Sequence, residues 1–167
     1  MDYDLCYIGD HDFILYGYTD SDWVGSDSDR KRISGCCFSL GSTMISWQSR
    51  KQSSISLSTT KEEYIVACSA SCESMWLRNL LTDLFDMEME ETMILCEKKS
   101  YIKMTKNHVF HDKSKHIEIW YHYICDMVQR GVVKLQYVGT DEQVADVLTK
   151  PLSRVRFEYF RDKLGIV

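Results

Sequence analysis

An α/β layered fold with a mixed sheet is what the sequence predicts, and three observations carry the prediction. Short aromatic and aliphatic runs separated by turn residues fill the first fifty positions, as in an antiparallel meander. From about Ser58 to Leu84, small and apolar residues recur at spacings of three and four, the period of a helix. Beyond that point strand-like and helix-like segments alternate, which is the pattern of crossovers between parallel strands.

The first strand is Phe13-Ile14-Leu15-Tyr16-Gly17-Tyr18, and the cluster Thr19-Asp20-Ser21-Asp22 gives it an acidic tip. A charged loop with Asp27, Asp29, Arg30, Lys31 and Arg32 follows. Cys36 to Leu40 and Met44 to Trp47 read as the second and third strands, with Gly41-Ser42-Thr43 as a hairpin turn. A helix opens near Ser58-Thr59-Thr60, where a threonine three residues before Glu62 or Glu63 offers a capping box. Along it Tyr64, Ala67, Cys68, Ser71, Cys72, Met75 and Asn79 define a small-residue face suited to close packing on a sheet. Met93-Ile94-Leu95-Cys96 is the fourth strand, followed at once by Glu97. A helix ending near Gly131 leads into the fifth strand, Val132 to Val138. Two helices close the chain, about Asp141 to Thr149 and Arg154 to Leu164, with Pro151 breaking them apart.

Composition narrows the class. The chain has 167 residues, 44% hydrophobic and 27% charged, with one proline and eight scattered glycines, so a single domain over residues 1–167 is expected. No apolar run approaches the roughly 18 residues that span a bilayer, and Met1-Asp2-Tyr3-Asp4 lacks the basic start of a signal peptide. An intracellular protein without a membrane partner is the expectation, and its seven cysteines then act as small apolar residues. His108, His111, His116, His122 and Cys125 match no standard zinc spacing, so a zinc-binding module ranks last among the readings. The net charge of -5 speaks against bulk electrostatic wrapping by nucleic acid.

Three acidic positions share a structural address: Asp20 at the end of strand one, Glu63 in the first turn of the long helix, and Glu97 at the end of strand four. Asp146, in a late helix, completes a candidate cluster. Converging carboxylates repel one another and persist mainly where they hold hard divalent cations through oxygen ligands. Two Mg²⁺ ions about 3.5 to 4 Å apart would activate water and stabilise a leaving oxygen in phosphodiester hydrolysis. From spacing alone, solvated surface acids are the favoured reading, since exposed Asp and Glu at strand and helix ends are common.

Longer blocks are more specific. Gly17-Tyr18-Thr19-Asp20-Ser21-Asp22-Trp23-Val24-Gly25, Asp29-Arg30-Lys31-Arg32-Ile33-Ser34-Gly35, Ile45-Ser46-Trp47-Gln48-Ser49-Arg50-Lys51-Gln52 and Leu57-Ser58-Thr59 leading to Glu63-Tyr64 run in order along the chain. So do Lys115-His116-Ile117-Glu118-Ile119, Tyr121-His122 and Ala145-Asp146-Val147-Leu148-Thr149-Lys150-Pro151-Leu152. Together they resemble the ribonuclease H domain of copia-type retrotransposon Pol polyproteins. The resemblance implies a ribonuclease H-like fold: a five-stranded mixed sheet with strands one to three antiparallel, strands one, four and five parallel, and helices on its faces. It implies cleavage of the RNA strand of RNA-DNA hybrids with two Mg²⁺ ions, or Mn²⁺ in their place, in a virus-like particle in the cytoplasm or in the nucleus. Asp20, Glu63 and Asp146 match the family's catalytic and metal-binding positions, with Asp22 as a weaker alternative to Asp20.

Where the family usually reads Cys-Asp-Asn, this chain reads Cys96-Glu97-Lys98. The extra methylene of Glu97 displaces its carboxylate by about 1.5 Å, and metal-assisted chemistry tolerates such shifts poorly. A remnant that keeps the fold and binds hybrids without turnover is therefore the competing expectation. The reverse transcriptase of the same polyprotein is an expected partner, and the chain reads as starting just before the first strand, with no polymerase or integrase segment. Lys98, Lys99, Lys103, Lys106, Lys113 and Lys115, with Asp112 as the sole acid among them, form a candidate phosphate-contacting ridge.

Overall fold

The computed structural model describes residues 3–7, 14–23, 32–51, 59–86, 88–106 and 115–167. The strands are β1 (Leu15–Trp23), β2 (Arg32–Leu40), β3 (Thr43–Lys51), β4 (Thr92–Cys96) and β5 (Val133–Tyr137). The helices are α1 (Thr59–Phe85), α2 (Lys99–Lys106), α3 (Lys115–Gln129) and α4 (Arg154–Lys163), and two short 3₁₀ helices span Thr140–Glu142 and Val144–Leu148. The strands form one sheet in the order β3-β2-β1-β4-β5. β1, β2 and β3 pair antiparallel, while β1 with β4 and β4 with β5 pair parallel.

Alternation along β2 shows how one strand serves two layers. Cys36 and Phe38 join Leu15, Ile94, Val133 and Leu135 in a core under α1 and α3. Cys37, between them, faces the opposite layer with Met44, Val144, Ala145, Phe160 and Leu164, where α4 and the second 3₁₀ helix cover the sheet. Phe38 is fully buried, and it lies against Gly17 so closely that a Cβ there would sit 2.5 Å from its ring. Gly17 is thus fixed by the close approach of a ring, as expected where a strand glycine receives a neighbour.

Several sequence expectations shift in detail. β1 does not stop at Tyr18 but continues through Asp20 and Asp22 to Trp23, because β2 pairs with it over its whole length. The buried stripe of α1 runs through Ala67, Ala70, Ser71, Ser74, Leu77 and Leu81, whereas Cys72 and Asn79 are exposed. Tyr64 has a helical backbone, and its side chain lies outside the described residues. The region 141–149 forms two 3₁₀ helices in place of one α-helix, and α2 was not anticipated. The hairpin turn and the helix stop agree with expectation: Gly41 (φ 62°) links β2 to β3, and Gly131 (φ 65°) follows α3.

The chain ends pair with each other. Leu5 and Ile166 form an antiparallel bridge, flanked by reciprocal backbone hydrogen bonds of 2.9 Å between Asp4 and Val167. Among the described residues no helix is long and apolar enough to cross a membrane.

Candidate functional site

The parallel pairing of β1 with β4 builds one corner of the site. Thr19 and Cys96 are the last partners in register, so Asp20, the next residue of β1, and Glu97, which directly follows β4, stand side by side where the parallel pairing ends. Ligand sites of open α/β sheets lie at this carboxyl end. Asp146 arrives from the 3₁₀ helix Val144–Leu148 on the layer above.

Gln143 fixes that arrival. Its fully buried side chain donates from Nε2 to the carbonyl of Thr19 (3.1 Å) and accepts through Oε1 from the Ala145 amide (3.3 Å). Its extended backbone (φ -76°, ψ 94°) separates the two 3₁₀ helices, and the Asp146 amide bonds back to the Gln143 carbonyl at 3.1 Å. Gly35 makes room beneath: a Cβ there would lie 2.8 Å from Thr149 Cγ2 and 2.9 Å from Leu148 Cβ. Gly35 is also the register partner of Asp20, so the 3₁₀ segment rests against β2 directly opposite the first acid.

The polar contacts at the centre involve three residues that the sequence reading missed. Thr149 Oγ1 donates to Asp20 Oδ2 at 2.6 Å. Lys150 Nζ donates to Asp146 Oδ1 at 2.9 Å and lies 3.4 Å from Asp20 Oδ2. Arg156 Nη2 approaches the other oxygen of Asp146 at 3.3 Å and also donates to the Thr140 carbonyl. The Asp146 side chain is 1% exposed, that of Asp20 8% and that of Lys150 23%, so the cluster is largely desolvated. Lys150 and Thr149 stand in the block that carries the family resemblance, and Lys150 is four residues from Asp146, but the sequence alone assigns neither a role.

Charge and burial compete here. Burial raises the Glu97 carboxyl above its ordinary pKa; the Lys150 ammonium opposes that rise, and the Asp146 and Asp20 carboxylates add to it. Burial also raises Asp146, against the hydrogen bond and charge of Lys150. Lys150 itself is raised: burial pulls the ammonium down, and its bond to Asp146 with the charges of Asp20, Asp146 and Glu97 outweighs that.

Four buried side-chain polar atoms lack a hydrogen-bond partner among the described residues, and three belong to this corner: Thr19 Oγ1, Glu97 Oε1 and Arg156 Nε. Native interiors rarely leave such atoms unpaired without a reason. A cleft of about 40 Å³ opens between Asp20 and Glu97, walled by Val66 and Ala67 of α1. Glu63 is one turn earlier on that helix; its side chain lies outside the described residues. Asp22 is further along β1, opposite Ile33. Among the described residues no group of three His, Cys, Asp or Glu side chains is already arranged as a metal-binding set.

Of the six lysines, Lys98 and Lys99 directly follow Glu97, and Lys99 lies 4.3 Å over the ring of Tyr137. Lys103 is exposed on α2, where positions 99, 103 and 106 recur on one helical stripe. Lys106 and Lys115 have helical backbones, but their side chains, and all of Lys113, lie outside the described residues.

No protein-family model matches the chain. It is 38% identical over 162 residues, 97% of its length, to the retrovirus-related Pol polyprotein from transposon TNT 1-94 of Nicotiana tabacum. It is 39% identical over 153 residues, 92% of its length, to that from transposon RE2 of Arabidopsis thaliana. The chain spans 12% and 10% of those two relatives. Among solved structures it is similar to LC11-RNase H1 in complex with an RNA/DNA hybrid (TM-score 0.58, 12% identity, 81% of this chain and 93% of that one). It is similarly close to the N-terminal RNase H domain of a Mycobacterium tuberculosis protein (TM-score 0.59, 11% identity, 90% of this chain and 97% of that one).

Proposed function

We propose that this chain, a homologue of one segment of the copia-type retrovirus-related Pol polyproteins with a ribonuclease H fold, hydrolyses the RNA strand of RNA-DNA hybrids. The observation that carries the reading is the meeting of Asp20, Glu97 and Asp146 at the carboxyl end of the parallel β1–β4 pair. Solvated surface acids would not be buried against one another, nor leave Glu97 Oε1 without a partner.

The donor chemistry fits a hard divalent cation. Carboxylate oxygens are the ligands that Mg²⁺ and Mn²⁺ prefer, and the buried, unpartnered Oε1 of Glu97 is an acceptor in want of a positive partner. Asp20, Glu97 and Asp146 would hold the metal, with Glu63 of α1 as the fourth ligand. When bound, the metal supplies an activated water and charge stabilisation of the leaving oxygen. The chain's own residues orient the ligands: Thr149 holds the Asp20 carboxylate through Oδ2, and Gln143 pins the segment that carries Asp146 to β1.

Substrate binding falls to the basic residues that begin directly after Glu97. Lys98, Lys99 and Lys103, extended by Lys106, Lys113 and Lys115, would contact backbone phosphates next to the cleaved strand. One of the similar structures is itself a complex with an RNA/DNA hybrid, which supports that class of ligand. A reverse transcriptase of the same polyprotein would deliver the hybrid.

The competing reading, a hybrid-binding domain without turnover, is favoured by one observation: both oxygens of Asp146 are already engaged, by Lys150 and by Arg156. A cleavage assay separates the two. The protein is incubated with a labelled hybrid and Mg²⁺ beside an Asp20→Asn control. Cleavage of the RNA strand well above the control is expected; cleavage equal to it, with hybrid retained in a binding assay, leaves the second reading.

A further inference from the structure

A cation already stands among the acids. The Lys150 ammonium is within 2.9 Å of Asp146 Oδ1 and 3.4 Å of Asp20 Oδ2, so one group is shared by two carboxylates. It is held by local geometry: the Lys150 amide bonds to the Asp146 carbonyl at 2.9 Å, which curls the chain back and aims the side chain at the carboxylate four residues earlier. Thr149, its neighbour, is buried and bound to Asp20. The Lys150 side chain is nevertheless 23% exposed and its stem is flexible, so the ammonium has a way out into water. Arg156 is different, because its guanidinium is tied both to Asp146 and to the Thr140 carbonyl.

We propose that Lys150 is an internal stand-in for the divalent cation: it neutralises Asp20 and Asp146 in the metal-free protein, competes with the metal, and leaves when the metal binds. This inference rests on the metal-binding reading of the same site. An ammonium in contact with these oxygens and a divalent ion held by the same oxygens would repel each other strongly at the reduced dielectric of a buried cluster, so the two compete for the site. Lys150 thereby sets the metal concentration the site requires, and it keeps the two buried carboxylates, Asp20 and Asp146, from driving the region apart when metal is scarce. It is a positioning residue; the reaction itself does not require it to touch substrate.

The test is Mn²⁺ binding to the protein without any nucleic acid, measured by calorimetry and by the loss of free Mn²⁺ electron-paramagnetic signal. Lys150→Gln is expected to bind Mn²⁺ about tenfold more tightly, the effect of removing roughly one competing charge contact. Lys150→Arg, which keeps the charge, is expected to bind no more tightly than the unaltered protein. Thermal melting in EDTA should show Lys150→Gln less stable than the unaltered protein, with saturating Mn²⁺ closing the gap. Equal or weaker Mn²⁺ binding by Lys150→Gln overturns the proposal. Should that variant fail to fold, the unaltered protein still decides: Mg²⁺ should raise the acetylation rate of Lys150 severalfold in a mass-spectrometric footprint, and an unchanged rate overturns the proposal. An Asp146→Asn control keeps the two levels apart. If it binds Mn²⁺ as well as the unaltered protein does, the metal site itself is misassigned; if it loses binding while Lys150→Gln is unchanged, only the role of Lys150 falls.

Discussion

Gly35→Ala isolates how far the site depends on one close approach. The backbone at Gly35 is ordinary strand, so the added methyl tests contact and nothing else. It would meet Thr149 Cγ2 at 2.8 Å and Leu148 Cβ at 2.9 Å, where ordinary carbon contacts lie at about 3.5 to 4.0 Å. Relief therefore demands a movement of about 1 Å by the segment that carries Asp146, Thr149 and Lys150, away from the strand position opposite Asp20. Overpacking of this kind costs about 1–3 kcal/mol, which urea unfolding resolves. A misplacement of about 1 Å in a positioned catalytic group lowers rate by on the order of a hundredfold. Single-turnover cleavage of a labelled hybrid, at a temperature where both proteins are folded, is expected to fall by that order. Lost stability with undiminished cleavage would refute the claim that this packing positions the acids.

Three other outcomes are expected. Gly17→Ala places a methyl 2.5 Å from the buried Phe38 ring and should destabilise the protein by about 1–3 kcal/mol in urea; a change under about 0.5 kcal/mol would mean the ring yields freely. Glu97→Asp retracts the carboxylate by about one methylene and should raise hybrid cleavage severalfold; unchanged or lower cleavage would show that the longer side chain already fits. In EDTA, the raised carboxyls of Glu97 and Asp146 should stabilise the protein fully below about pH 4, the ordinary carboxylate range, and that contribution should fade as pH climbs through their higher folded values. Glu97→Gln should flatten this slope in thermal melts taken at stepped pH, and an unaltered slope would remove burial as its cause. Lys150, also raised, contributes in full at every pH below the ordinary lysine range and loses that contribution only as pH climbs through its higher folded value in the alkaline region.

The parts of the fold with a strong period or punctuation were legible: the β2–β3 hairpin around Gly41, the long α1, the fourth strand up to Cys96 and the helix stop at Gly131. Thr19-Asp20-Ser21-Asp22 was misread as the end of β1 because these residues favour turns in isolation, and pairing with β2 across Asp20–Gly35 and Asp22–Ile33 overrides that preference. α2 escaped notice because eight residues of mostly polar character give too short a stripe to declare a helix. Residues 141–149 have helix-like spacing, but the buried Gln143 side chain takes Thr19 and Ala145 as partners and breaks the run into two tighter turns. The acids could be nominated from their positions at element ends. Thr149, Lys150 and Arg156 could not, since what matters about them is a distance across 129 residues of chain in one case and a shared carboxylate in the others.

The bridge between Leu5 and Ile166 has a mechanical consequence. With Asp4 and Val167 hydrogen-bonded in both directions, the entering and leaving segments lie side by side, and a few added residues would join them into a closed ring that new termini can reopen at a turn such as Gly41-Ser42. Within any longer chain, tension on these two segments would peel their bonds one after another, like a zipper. The pull would next reach Leu164 and Phe160, so α4 would be stripped from its face of the sheet while the parallel strands still held.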